Sequence, residues 1–152
     1  MRPSLPDVIQ IAREAGKIIL HHYQSPAIQV SHKEDHSPLT IADKESDQWI
    51  QAELSRLTPS IPILSEESAI PPYEERKSWT KFWLVDPLDG TREFLKRNGE
   101  FTVNIALVEE GVSVLGVIFA PVQDLLYFGE QGSGAWKQVG KEEPQRISFQ
   151  KA

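Results

Sequence analysis

Two short stretches of this 152-residue chain end apolar runs in carboxylates. Ile63-Leu64 leads into Ser65-Glu66-Glu67, and Phe82-Trp83-Leu84-Val85 leads into Asp86-Pro87-Leu88-Asp89-Gly90-Thr91. Strand ends beside turns are rigidly supported yet accessible, and catalytic groups are commonly mounted there. Pro87 fixes its own φ and Gly90 permits a tight reversal. The chain is therefore expected to turn between Asp86 and Asp89, with both carboxylates on one side. Two carboxylates about 4 Å apart repel by roughly 4 kcal/mol at an effective dielectric of about 20. Such a site takes up a proton or recruits a cation. Glu66 adds a third acidic ligand from another strand. An all-oxygen set without His or Cys favours Mg2+, Mn2+ or Ca2+ over zinc.

Just beyond, Gly90 and Thr91 are placed to open a helical turn through Glu93-Phe94-Leu95, whose free N–H groups offer an anion site. Metal ions would reconcile a phosphate ligand with the net charge of −6 (16 basic against 22 acidic residues). They also suit two-metal hydrolysis of a phosphate ester. Taken singly, an Asp-Gly is usually a turn and a Glu-Glu usually a solvated pair. It is their joint placement, each behind its own apolar strand, that indicates a metal and phosphate site.

The elements that must hold these residues follow from periodicity. A first helix is expected from Ser4, with Asp7 three residues on and Val8, Ile11, Ala15, Ile18, Ile19 and Tyr23 at helical spacing. A short strand over residues 28–31 leads into a polar loop. Thr40 with Asp43 reads as a capping box for a second helix, which carries Ala42, Trp49, Ile50, Leu54 and Leu57 on one face and is stopped by Pro59. Strand periodicity takes over at residues 61–64, 82–85, 103–108, 112–120, 125–128, 135–139 and 147–149, and residues 68–78 read as a surface loop. Two helices followed by mainly antiparallel strands give an α+β class, with the helices packed on one sheet face.

The acidic balance offers no footprint for nucleic acid or an anionic membrane, and no apolar run reaches spanning length. The chain has no cysteine, which excludes thiolate metal sites and suits the cytoplasm. His21, His22, His32 and His36 read as surface or boundary residues, the four tryptophans as packing, and Lys96-Arg97 as a solvated pair.

At Glu66-Glu67 and at residues 86–91 the chain resembles the inositol monophosphatase superfamily, Mg2+-dependent phosphatases whose signature pairs Glu-Glu with Asp-Pro-(Ile/Leu)-Asp-Gly-Thr. A finer similarity is to its 3'(2'),5'-bisphosphate nucleotidase branch. It is carried by Leu64-Ser65-Glu66-Glu67, by residues 83–91 and 97–107, and by Lys33, Asp35, Ser37-Pro38-Leu39-Thr40, Ala42 and Asp43. The resemblance implies the N-terminal half of a layered α/β sugar-phosphatase fold, with residues 1–152 as one metal-binding α+β domain. It also implies hydrolysis of adenosine 3',5'-bisphosphate, a small-molecule partner, to AMP and phosphate. In that reading Glu66, Asp86 and the Leu88 carbonyl bind a first Mg2+ (or Mn2+), and Asp86 and Asp89 a second. Gly90 and Thr91 receive the phosphate, in a substrate site shared with Glu66, Leu88 and Asp89. Thr91 and Asp35 orient and activate the attacking water, and Glu67 supports the ligands.

The same resemblance implies a cytoplasmic location, with peripheral attachment to the cytoplasmic face of the inner membrane. Family members are longer and carry a further metal-binding aspartate in a Trp-Asp segment, a pair that does not occur here. Inositol or sugar monophosphatase, and a non-catalytic remnant that binds metal or phosphate, are the alternative readings.

Overall fold

The computed structural model describes residues 3–23, 38–67 and 71–147. Helix α1 runs over Leu5–Tyr23, where Val8, Ile11, Ala12, Ala15, Gly16 and Ile19 form a buried stripe at spacings of three and four. Its start sits where Ser4 predicts it: the amides of Asp7 and Val8 donate to the Ser4 carbonyl at 3.1 and 3.2 Å. Helix α2, Pro38–Leu57, begins two residues before Thr40. Proline suits a first helical turn because its missing N–H would have no partner there. Thr40 and Asp43 therefore lie inside the helix rather than forming a cap. Thr58 closes the other end, its amide and hydroxyl both donating to the Leu54 carbonyl.

Seven strands make one sheet in chain order: β1 Ile63–Ser65, β2 Lys81–Asp89, β3 Thr102–Glu109, β4 Val112–Ala120, β5 Leu125–Glu130, β6 Gly134–Val139 and β7 Gln145–Ile147. The β1–β2 pair is parallel and every other pair antiparallel. The expected hairpin between β3 and β4 is present, with Glu110 and Gly111 both at positive φ in its two-residue turn. That is the backbone a tight hairpin requires. Within the expected 68–78 loop the chain forms a short helix α3, Tyr73–Arg76; α4, Thr91–Lys96, follows β2. Residues 28–31 and 148–149 of the expected strands lie outside the described residues, as do Asp35, His32, His36 and Lys33.

One sheet face is covered by α1 and α2. Alternate residues Trp83 and Val85, Val103, Ile105 and Leu107, and Val117 and Phe119 point into that core. Trp83 is fully buried yet keeps its indole N–H satisfied by Thr58 Oγ1 at 2.8 Å. Gly16 lets α1 approach β4 closely, since a Cβ there would stand 2.5 Å from the Phe119 ring and 3.1 Å from Pro121. Arg13 then stacks on Phe119 and reaches Asp124 and Gln138, tying the helix to the sheet beyond β4.

Gly16→Ala decides between two effects of opposite sign. Helix propensity alone would stabilise by about 1 kcal/mol, whereas overpacking a rigid ring costs about 1–3 kcal/mol. The expected outcome is a net loss of stability in urea unfolding, with unchanged helix content by circular dichroism.

Candidate metal and phosphate site

The parallel pairing of β1 and β2 brings their C-terminal ends to one edge of the sheet, with Ser65 opposite Val85. The Glu66 amide continues the ladder by donating to the Val85 carbonyl at 3.2 Å. Glu66 therefore stands beside Asp86. β2 does not stop at Val85: the strand continues through Asp89, with a register shift between Asp86 and Asp89. Asp86 is opposite Asn104 and Asp89 opposite Thr102, so three steps on β2 match two on β3. A regular strand would send side chains three apart to opposite faces; this bulge returns Asp86 and Asp89 to the same face. The expected turn is thus a bulge, and Pro87 is tolerated there because a bulge needs no ladder N–H at that point.

The bulge is held from both sides. Beneath it, Ser46 on α2 donates to the Pro87 carbonyl at 2.8 Å in a buried contact. Asp47, one residue on, accepts from the Ser65 hydroxyl and from Gln51. Ser65 Oγ in turn accepts the Glu67 amide. Within the segment, the Leu88 amide donates to Asp86 Oδ1 at 3.3 Å and the Leu88 side chain is buried. On the β3 side, Asn104 donates to Asp89 Oδ2 at 3.1 Å and accepts from the Thr102 hydroxyl.

Gly90 then turns the chain into α4 with φ +96°, and a Cβ there would stand only 3.2 Å from the Phe101 backbone. Tyr23, Phe94 and Phe101 pack ring against ring at 4.8–5.4 Å, anchoring α4. Thr91, the first residue of α4, is exposed next to the acidic edge.

The electrostatics of the edge are those of crowded carboxylates. Burial, then the charges of Glu66 and Asp89, push the Asp86 carboxyl up to about 6, with the Leu88 amide pulling the other way. A fourth carboxylate joins them: Asp43 on α2. Burial raises it most, followed by a hydrogen bond with Glu67 and the charges of Glu67, Asp86 and Asp47, to about 8. Asp43 Oδ1 is buried without a hydrogen-bond partner. Among the described residues no three acidic or histidine side chains are drawn together closely enough to enclose a metal ion as they stand.

The donor set nevertheless fits a hard divalent cation: it is all oxygen, carries excess negative charge, and includes one buried unpaired acceptor. Asp43 is the residue of this candidate site that periodicity missed, because its spacing from Thr40 reads as a helix cap. Its signal was the Thr40-x-Ala42-Asp43 pattern together with Ser46 and Asp47 on the same helical face.

Comparison with known proteins gives the family and the fold. The sequence profile of the inositol monophosphatase family matches residues 4–151, and the chain belongs to that family. More narrowly, it is 50% identical over 135 residues to the 3'(2'),5'-bisphosphate nucleotidase CysQ of Salmonella typhimurium, covering 88% of this chain and 54% of that protein. Its fold is similar to that of CysQ from Bacteroides thetaiotaomicron, with a TM-score of 0.86 and 42% identity, covering 97% of this chain and 58% of the other. The extragenic suppressor protein SuhB of Bartonella henselae is less similar, at a TM-score of 0.71 and 35% identity over 87% of this chain and 50% of that one. The chain thus spans about half the length of the curated relatives it matches.

The raised carboxyls set a pH dependence. Asp43 and Asp86 bind protons more tightly folded than at their usual 3.8, so their contribution to stability is full below about 4. It is lost as pH rises through about 6 for Asp86 and about 8 for Asp43. In chelator-treated protein the melting temperature is expected to fall over this window. Asp86→Asn should raise the metal-free melting temperature at pH 7 and flatten the slope.

Proposed function

We propose that this edge is the metal and phosphate site of a phosphomonoesterase that removes phosphate from adenosine 3',5'-bisphosphate to leave AMP. The observation that carries the reading is the bulge in β2, which turns Asp86 and Asp89 to one face beside Glu66. Glu66, Asp86, Asp89 and the Leu88 carbonyl would hold Mg2+, with Mn2+ as an alternative. The bound cation supplies positive charge for the phosphate and acidifies water.

The chain's own residues do the rest. Gly90 and Thr91 present amides to the phosphate, and α4 is braced for this by the Tyr23–Phe94–Phe101 cluster. The Thr91 hydroxyl and the carboxylate of Asp35, which lies outside the described residues, orient the attacking water. Asp43, with its unpaired oxygen beside Glu67 and Asp86, joins the acidic set as a further acceptor. Ser46 fixes the backbone of the ligand-bearing segment and Asn104 orients Asp89, and closing the carboxylates on the ion is left to their side chains. The substrate follows from similarity to the CysQ relatives, as does a cytoplasmic role in clearing the nucleotide left by sulfate activation. Among the described residues no helix is long and apolar enough to cross a membrane, and peripheral attachment at the inner membrane remains part of the reading by family.

A second reading, a protein that binds metal or phosphate without turnover, is favoured by the acids among the described residues not being drawn together closely enough to enclose an ion. Calorimetric Mg2+ titration and phosphate release separate the two. The expected result is Mg2+ binding that Asp86→Asn abolishes and Ser46→Ala weakens about tenfold, as loss of a supporting hydrogen bond does. Phosphate release should be faster from adenosine 3',5'-bisphosphate than from inositol 1-phosphate. Preference for the inositol ester would reject the substrate, and binding without release would favour the non-catalytic reading.

A further inference from the structure

Among the described residues three polar side chains are buried, Ser46, Asp47 and Ser65, and all three meet where α2 touches the ends of β1 and β2. Burying a polar group costs free energy unless a partner takes its hydrogen bond, and burying a carboxylate costs more. Ser46 has its use, since it holds the Pro87 carbonyl under the bulge. Asp47 and Ser65 take no part in that contact. Asp47 also lies among like charges, for its own charge bears on Asp43, one turn earlier on α2.

An ionised carboxylate does one thing that a neutral amide does not: it fixes the polarity of its partner. It only accepts, so the Ser65 hydroxyl must aim its proton at Asp47, and the oxygen lone pairs are left to receive the Glu67 amide at 3.3 Å. Gln51, one turn further along α2, donates to the other carboxylate oxygen at 2.9 Å and holds the group in plane. The Glu67 side chain is in turn hydrogen-bonded to Asp43. Residues 43 and 47, four apart on one helix face, thus hold the two ends of Ser65-Glu66-Glu67, and Glu66 between them stands beside Asp86. We propose that Asp47 is a positioning residue for the metal site: acting through the Ser65 hydroxyl, it sets the backbone of Glu66-Glu67 at the height where Glu66 and Asp86 can close on one cation. Ser46 does the same for the bulge in β2, so a single turn of α2 registers both strand ends against each other. The assignment rests on the reading of this edge as a metal site, but the clamp itself exists without metal and is measurable there.

Two measurements on the whole chain test this without reference to turnover. In chelator, amide exchange followed by NMR is expected to be roughly tenfold faster at Glu67 in Ser65→Ala than in wild type, while the Glu66 amide, which donates to the Val85 carbonyl, keeps its protection. Calorimetric Mg2+ titration is expected to give a dissociation constant about tenfold higher in Ser65→Ala, a change that removes no charge. Asp47→Asn, of nearly the same shape, should raise it too. Both variants break one link, so the double variant should bind far better than the product of the two single effects. Gly16→Ala, which loosens the core where α1 meets Phe119, should bind Mg2+ like wild type and so separates positioning from loss of stability. If Ser65→Ala does not fold, Asp47→Asn carries the same two readings, because an amide no longer dictates the direction of the Ser65 proton. A Glu67 amide that exchanges alike in variant and wild type, or effects that multiply in the double variant, would overturn the proposal. A wild-type chain that binds no Mg2+ would overturn the metal reading and this assignment with it, whereas a wild type that binds Mg2+ no more tightly than Ser65→Ala overturns this assignment alone.

Discussion

Mutual repulsion among carboxylates governs this molecule's acidic edge, and the fold is arranged to hold that repulsion in place rather than relieve it. Left to itself, a segment with Asp86 and Asp89 would turn its acids apart, as a regular strand does with side chains three residues apart. The bulge prevents that, and the bulge persists because other groups need it. Ser46 is buried under the Pro87 carbonyl, Leu88 is packed in the core, and Asn104 grips Asp89. Each contact is modest, about 1 kcal/mol for a typical hydrogen bond. Together they oppose the splaying of the acids before any cation arrives. The backbone that carries the acids is thus set in advance, and it is their side chains that would have to close on an ion.

The second helix is the element that joins core to chemistry. Its lower turns bury Ile50 and Leu54 against the sheet, while its upper turns present Asp43, Ser46 and Asp47 to the ends of β1 and β2. Hydrophobic packing at one end therefore fixes the height and rotation of the polar residues at the other. The same division holds for α1, where Tyr23 at the C-terminal end closes an aromatic cluster against Phe94 and Phe101 and so steadies the turn at Gly90.

Much of this was legible in the residues, for physical reasons. The β3–β4 hairpin declares itself through alternating apolar residues around Glu110-Gly111, and the observed strands differ from the periodic runs by one residue at each end of β3 and not at all in β4. The acids behind apolar runs were legible because a carboxylate after a buried strand has few structural uses. What failed was local punctuation. Pro87 reads as a strand breaker, yet a bulge accommodates it, and Pro38 opens a helix that the pattern starts at Thr40. Asp43 was concealed because a cap and a site residue share one spacing, and only the approach of α2 to the β1 and β2 ends tells them apart.

Strand order that follows chain order has a consequence for how the scaffold tolerates change. Every connection from β3 onward is a short reversal, and the reversals alternate between two ends of the sheet. The turns at Glu110-Gly111 and at residues 131–133 lie at the end away from the acids, and those of β4–β5 and β6–β7 lie at the acidic end. Length and composition are therefore free to vary at the first pair of turns without disturbing the edge where the carboxylates meet. That distal rim is the natural place for a graft, a label or a tether, while the proximal turns are bound to the geometry they frame.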